Sequence, residues 1–110
     1  MVLAGEWLVV SGQLGVRDGA IVHGGAAEQA RQALANLSAL LEEYGASLED
    51  VVKTTVFMTN IEDFGEINEF YAAAYGGHRP ARSAVALVGL PSGASVEIEA
   101  WALMEATGPR

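Results

Sequence analysis

No cysteine occurs anywhere in the 110 residues. That excludes disulfides, thiolate catalysis and zinc sites built on sulfur. Positive charge is scarce as well: six lysines and arginines stand against fourteen aspartates and glutamates, a formal net charge of −8. Such a chain repels nucleic acid and anionic lipid unless its cations cluster. The cations are Arg17, Arg31, Lys53, Arg79, Arg82 and Arg110, and only Arg79 and Arg82 lie close in sequence, with His78 adjacent. That group is too small for a nucleic-acid footprint and the right size for one small anion. No apolar run approaches the ~20 residues of a membrane span. The opening Met1-Val2-Leu3-Ala4-Gly5-Glu6-Trp7 lacks the basic and long apolar segments of a signal peptide. We therefore expect a cytoplasmic protein with neither nucleic-acid nor membrane partners. His23 and His78 are far apart and lack ligand spacing, so no metal site is expected.

What is present is apolar: 51% of the residues, enough for one globular domain over residues 1–110 with a modest core. Residues 2–4 and 7–12 straddle Gly5-Glu6, which predicts a strand, a tight turn and a second strand. Trp7-Leu8-Val9-Val10 reads as a central strand. Residues 14–25 read as a glycine-rich loop with a short β excursion at Ala20-Ile21-Val22. The first helix should run from about Ala26 to Tyr44, because Ala30, Leu34, Leu37, Leu41 and Tyr44 recur at steps of four and three. Gly45 is its C-cap candidate. Residues 51–59 predict a strand with Val52, Thr54, Val56 and Met58 on one face, and Lys53, Thr55, Phe57 and Thr59 on the other. The second helix should span roughly Ile61 to Tyr75, capped by Asn60, with a stripe of Phe64, Ile67, Tyr71 and Ala74. Gly76-Gly77 ends it, and Pro80 forbids further helix.

Near the C-terminus, residues 79–101 read as two strands joined by a short turn. Residues 83–88 are small or branched apolar residues, and Pro91-Ser92-Gly93 is turn chemistry. Residues 95–104 alternate: Val96, Ile98, Ala100, Ala102 and Met104 share one face; Glu97, Glu99, Trp101 and Leu103 share the other. The order is β-β-α-β-α-β-β, so two amphipathic helices can cover one face of a four- to six-stranded sheet. Phe57, Trp101 and Leu103 would lie on the opposite face, which argues for a partner over it. Pattern alone leaves a ferredoxin-like fold as a competitor.

Pro80-Ala81-Arg82-Ser83, an apolar strand, Leu90-Pro91, then Val96-Glu97-Ile98-Glu99-Ala100 resembles the signature of the Rid (YjgF-like) family of reactive intermediate deaminases. Val9-Val10-Ser11-Gly12-Gln13, residues 29–37, residues 51–57 and residues 64–71 match the family in order, so the resemblance covers nearly the whole chain. It implies an α+β, chorismate-mutase-like two-layer sandwich, with a mixed sheet and two helices on one face. It also implies a homotrimer with active sites between subunits. The implied activity is hydrolysis of 2-imino acids such as 2-iminopropanoate to 2-oxo acids and ammonia, with no cofactor and no metal. A non-catalytic trimer that binds small carboxylates, as a sensor or scaffold, is the alternative. RNA cleavage has also been attached to the family, and the charge of −8 argues against it here.

The resemblance assigns roles residue by residue. Arg82, which without the resemblance reads first as a strand-end arginine paired with an acidic residue, would hold the substrate carboxylate. A planar guanidinium offers two parallel donors, as lysine cannot. Glu97, otherwise a solvated strand carboxylate, would position or activate the hydrolytic water. Ser11 and Gly12 would line the pocket, Gly12 by letting backbone approach the ligand. Asn68 would lie near the cleft, Tyr71 in the core, and Glu99 in a structural or interface role. A hairpin centred on Ser92 would set Arg82 near Ala102 and Glu97 near Leu87. Five residues of strand is roughly 16 Å at ~3.3 Å each, too far for one small substrate. We therefore expect the site to be built in trans, from Arg82 of one chain and Glu97 of its neighbour. Two departures from the family stand out. The N-terminal segment with a substrate-covering tyrosine has no counterpart in this sequence. Arg79 also stands where an apolar residue often precedes Pro-Ala-Arg-Ser.

Overall fold

Strands form where β-branched residues alternate, and helices where apolar residues recur every three to four positions. The computed structural model describes residues 1–104 and has the elements β1 (Val2–Ala4), β2 (Trp7–Leu14), β3 (Val16–Arg17), β4 (Ala20–Ile21), α1 (Gly25–Glu42), β5 (Val51–Met58), α2 (Phe64–Tyr75), β6 (Ala81–Ala86) and β7 (Val96–Leu103). Met104 follows the last strand, and Arg110 lies outside the described residues. Five strands form one mixed sheet in the order β1-β2-β7-β5-β6, and β3 and β4 form a separate small hairpin. Every pair in the large sheet is antiparallel except β5 with β6.

One face of the sheet carries Leu8, Val10, Val56, Met58, Val96, Ile98, Ala100 and Ala102, all buried against Ala30, Leu34, Leu37 and Leu41 of α1 and Ile67, Tyr71 and Tyr75 of α2. This is the expected two-layer α+β arrangement, with both helices on one side. Among the described residues, buried side-chain polar groups within the layer are paired except the Tyr75 hydroxyl. Gln29 of α1 accepts from the Ser95 backbone N–H at 2.8 Å. Thr54 Oγ1 and Tyr71 Oη lie 2.6 Å apart in a hydrogen bond. Asn36 of α1 donates to the carbonyls of Leu14 and Val16, fastening the helix over the end of β2.

Four local expectations need correction, the first being that Ala74 of α2 is exposed and Tyr75 is buried in its place. Tyr44 is not part of the buried stripe of α1: the helix ends at Glu42, Gly45 takes φ 75°, and the Ala46 N–H returns to Leu41 O, leaving Tyr44 44% exposed. Val52 is also exposed, because β5 has a bulge between Val51 and Lys53 opposite β7. The bulge adds a residue and inverts the alternation, so Val51 is buried in its place. Asn60 does cap, but it caps a short 3₁₀ turn, Ile61–Asp63, that precedes α2, accepting from the Glu62 N–H at 3.0 Å.

The largest correction concerns β6 and β7. Pro91-Ser92-Gly93 forms the expected turn, with Ser92 at φ 59° and Gly93 at φ 68°. The strands it joins are not neighbours, however, because β5 lies between them. Sequence proximity suggested a hairpin, but parallel pairing to β5 makes β6 an edge strand that must cross over. Arg82 therefore pairs with Thr54, not near Ala102, and Glu97 pairs with Phe57 on one side and Leu14 on the other.

Candidate functional site

Arg82 is placed by an edge strand and oriented by a helix. Its register partner Thr54 is fully buried on the helix-covered face, so Arg82 projects toward α2. On α2, Phe64, Asn68 and Tyr71 are spaced by four and three and share one side of the helix. Arg82 Nη1 donates to Asn68 Oδ1 at 2.6 Å. The guanidinium carbon lies 4.7 Å from the centroid of the Tyr71 ring and 5.2 Å from that of Phe64. Both rings offer their negative faces to the cation. Tyr71 is itself held through its hydroxyl by Thr54. Burial pushes the Tyr71 phenol above its ordinary value, with the Thr54 hydrogen bond and the Arg82 charge opposing that shift.

Arg82 has no carboxylate partner among the described residues, where the one ion pair is Arg31 with Glu28. Of its five N–H donors, the bond to Asn68 uses one. Arg82 lines a cleft of about 420 Å³ together with Asn68, Tyr71, Ala72, His78, Arg79 and Pro80. Three bases and no acid stand in that wall. His78 Nε2 is 2.7 Å from Val51 O, and Arg79 Nη1 donates to Gly76 O at 2.8 Å.

Glu97, Ser11 and Gly12 meet on the other face of the sheet. β2 pairs with β7 as Val10 with Ala100 and then Gln13 with Ile98, so Ser11 and Gly12 together stand opposite Glu99 in a bulge. Gln13 Nε2 donates back to Ser11 O at 3.0 Å, steadying the bulge. The side chain of Glu97 lies directly on Gly12. A Cβ at that position would come within 2.5 Å of Glu97 Cγ and closer still to its carboxylate. Glycine is required there for close approach. Trp7 and Trp101 pack edge to face on this same surface, with ring centroids 6.0 Å apart. Trp101 is 45% exposed, and Leu103 and Val85 are 39% exposed.

The five residues singled out in the sequence thus fall into two groups. Arg82 and Asn68 are bonded to each other on the helix side of the edge strand. Glu97 and Gly12 are in contact on the open face, with Ser11 beside them. The sheet separates the two groups within one chain. Phe64 and Tyr71, which flank the Arg82 guanidinium, were read in the sequence only as helix core. The signal for their second role was an amide, Asn68, set between two aromatics on one helical face.

The chain matches the protein family described as "Endoribonuclease L-PSP" over residues 1–104. It is 45% identical over 104 residues to the 2-iminobutanoate/2-iminopropanoate deaminase of Rattus norvegicus, covering 93% of this chain and 76% of that protein. Crystal structures with the same fold include the YjgF gene product of E. coli, with TM-score 0.89 and 38% identity over 94% of this chain and 85% of that one. Another is E. coli TdcF with bound serine, with TM-score 0.89 and 37% identity over the same shares of the two chains.

Proposed function

Because this chain belongs to the RidA/YjgF-like family, whose general activity is imine and enamine deamination, we propose that it hydrolyses small 2-imino acids such as 2-iminopropanoate to 2-oxo acids and ammonia. The observation that carries the reading is Arg82, a guanidinium with no carboxylate partner among the described residues, flanked by two rings and an amide at the wall of a cleft. A clamp preset in this way engages a planar carboxylate through two parallel donors. Serine bound to the related TdcF carries the same carboxylate.

With the carboxylate on Arg82, the imine carbon lies next to the clamp. Hydrolysis then needs an oriented water and an acceptor for its proton. We assign the water to Glu97. The water oxygen bonds to the imine carbon while its proton passes to the carboxylate and on to nitrogen. The proton of the new hydroxyl then passes to nitrogen by way of the carboxylate, the C–N bond breaks as the C=O forms, and ammonia leaves. Arg82 and Glu97 lie on opposite faces of one sheet, so a substrate touching both requires two chains. We infer a homotrimer in which the exposed Trp101, Leu103 and Val85 pack against neighbours and Arg82 of one protomer meets Glu97, Ser11 and Gly12 of the next.

RNA cleavage, the activity in the matched family's description, has against it a net charge of −8 and a basic cleft of only two arginines and one histidine. The test of the proposed reaction is the loss of 2-iminopropanoate and 2-iminobutanoate generated in situ by an amino-acid oxidase. The expected result is a clear rate for the intact protein that vanishes in Arg82→Ala. No rate from a well-folded oligomer that still binds 2-oxo acids would move the assignment to a carboxylate-binding protein.

A further inference from the structure

The cleft beside Arg82 contains more positive charge than one carboxylate needs. Arg79 and Arg82 both line it together with His78, and no acidic side chain is among the lining residues. Only six lysines and arginines occur in the whole chain, against fourteen acidic residues. Two arginines in this concavity concentrate positive charge in it, although Glu49 and Asp50 line a neighbouring cleft that Arg79 also lines.

The two guanidiniums are held differently. Arg82 is fixed by Asn68 and the two rings. Arg79 is fixed by one bond from Nη1 to the Gly76 carbonyl at the end of α2. That bond uses one of the five N–H donors of Arg79. Along the extended Arg79-Pro80-Ala81-Arg82 segment, the two Cα atoms are roughly 10 Å apart at ~3.3 Å per residue. A cleft of about 420 Å³ accommodates a molecule of five or six carbons with an anionic group at each end.

We propose that Arg79 is a specificity residue that selects 2-imino and 2-oxo acids with a second, distal carboxylate. This rests on the reading of Arg82 as the clamp for the first carboxylate. Arg82 takes the carboxylate next to the reacting carbon, and Arg79 takes the one at the far end of the side chain. In a molecule of net charge −8, a dianion is otherwise disfavoured over a monoanion, so the preference depends on the local pair.

Calorimetric titration of the intact oligomer with 2-oxobutanoate and 2-oxoglutarate tests this directly. The expected result is tighter binding of 2-oxoglutarate, on the order of tenfold, which is about 1.4 kcal/mol. Arg79→Gln should remove that preference while leaving 2-oxobutanoate binding within about twofold, and Arg79→Lys should restore part of it. A purely structural role for Arg79 at the helix end would lower the melting temperature without changing the ratio of the two affinities. Equal affinities in the intact protein, a preference that survives Arg79→Gln, or binding of neither acid would each overturn the proposal. The readout is binding, so it stands apart from turnover. A protein that prefers 2-oxoglutarate but hydrolyses no imine would contradict the deaminase assignment and support this one.

Discussion

At Arg82, a helix, a buried strand threonine and two aromatic rings converge on one guanidinium. At Glu97, the support is a two-residue bulge and a glycine whose missing side chain leaves the carboxylate its place. The first region is complete within the chain, because it faces the core layer and draws on α2. The second lies on the bare face of the sheet, among exposed Trp101 and Leu103. If Arg82 binds and Glu97 activates water as proposed, the two tasks are built on separate surfaces. The Arg82 side is assembled within a single chain, and the Glu97 side stands on the open sheet.

The comparison can be broken most severely at Arg82. Arg82→Ala should reduce kcat/KM by the equivalent of roughly 2–5 kcal/mol, as expected for unpairing a charge-assisted bond that the substrate and the neighbouring protomer of the proposed site would desolvate. Steady-state kinetics on 2-iminopropanoate checks this. The exposed position of Arg82 predicts little change in melting temperature. On the other face, Gly12→Ala should push Glu97 out of place and lower kcat about tenfold, with a cost in stability of about 1–3 kcal/mol from overpacking. Affinity for 2-oxobutanoate should change far less than kcat if the two regions divide the work as described. Equal losses in both quantities would argue that Glu97 also binds.

Two tyrosines under the Arg82 corner sharpen the comparison at smaller scale. Tyr71→Phe removes the partner of the buried Thr54 hydroxyl and should cost about 1–3 kcal/mol in denaturant unfolding. The buried Tyr75 hydroxyl has no partner among the described residues, so Tyr75→Phe should be neutral or stabilising by up to about 1 kcal/mol. Burial raises the phenol pKa of both Tyr71 and Tyr75. Below the ordinary tyrosine value of about 10 both states keep these protons, and above it the unfolded chain ionises first. Stability should therefore hold up to about pH 10 and fall beyond it, less steeply in Tyr75→Phe. Unfolding curves between neutral and alkaline pH measure that slope.

Much of this architecture could be read from the sequence because it rests on short-range periodicity. The stripe of α1 and the alternation of β7 each follow from spacing alone, and the observed burial follows them from Ala30 to Leu41 and from Val96 to Ala102. Strand order could not be read in the same way. Residues 81–86 and 96–103 are joined by a turn, yet β5 from mid-chain lies between them. That placement depends on long-range packing, which local pattern does not encode. Bulges were illegible for a related reason: Val52 and Gly12 owe their positions to one extra residue opposite a partner strand. At the candidate site, the residues were singled out through family likeness. The division of Arg82 and Glu97 between two faces required the register, and the rings of Phe64 and Tyr71 beneath the arginine required the helix in place.

The inference that the two regions meet only between chains has one direct test. Arg82→Ala and Glu97→Gln proteins, each inactive alone, would be unfolded, mixed in equal amounts and refolded together. Each intersubunit site draws its arginine from one protomer and its carboxylate from the next. Random mixing should therefore restore about a quarter of the activity of the intact protein. No recovery in mixed oligomers of confirmed composition, or full activity in a monomer, would contradict a site shared between chains.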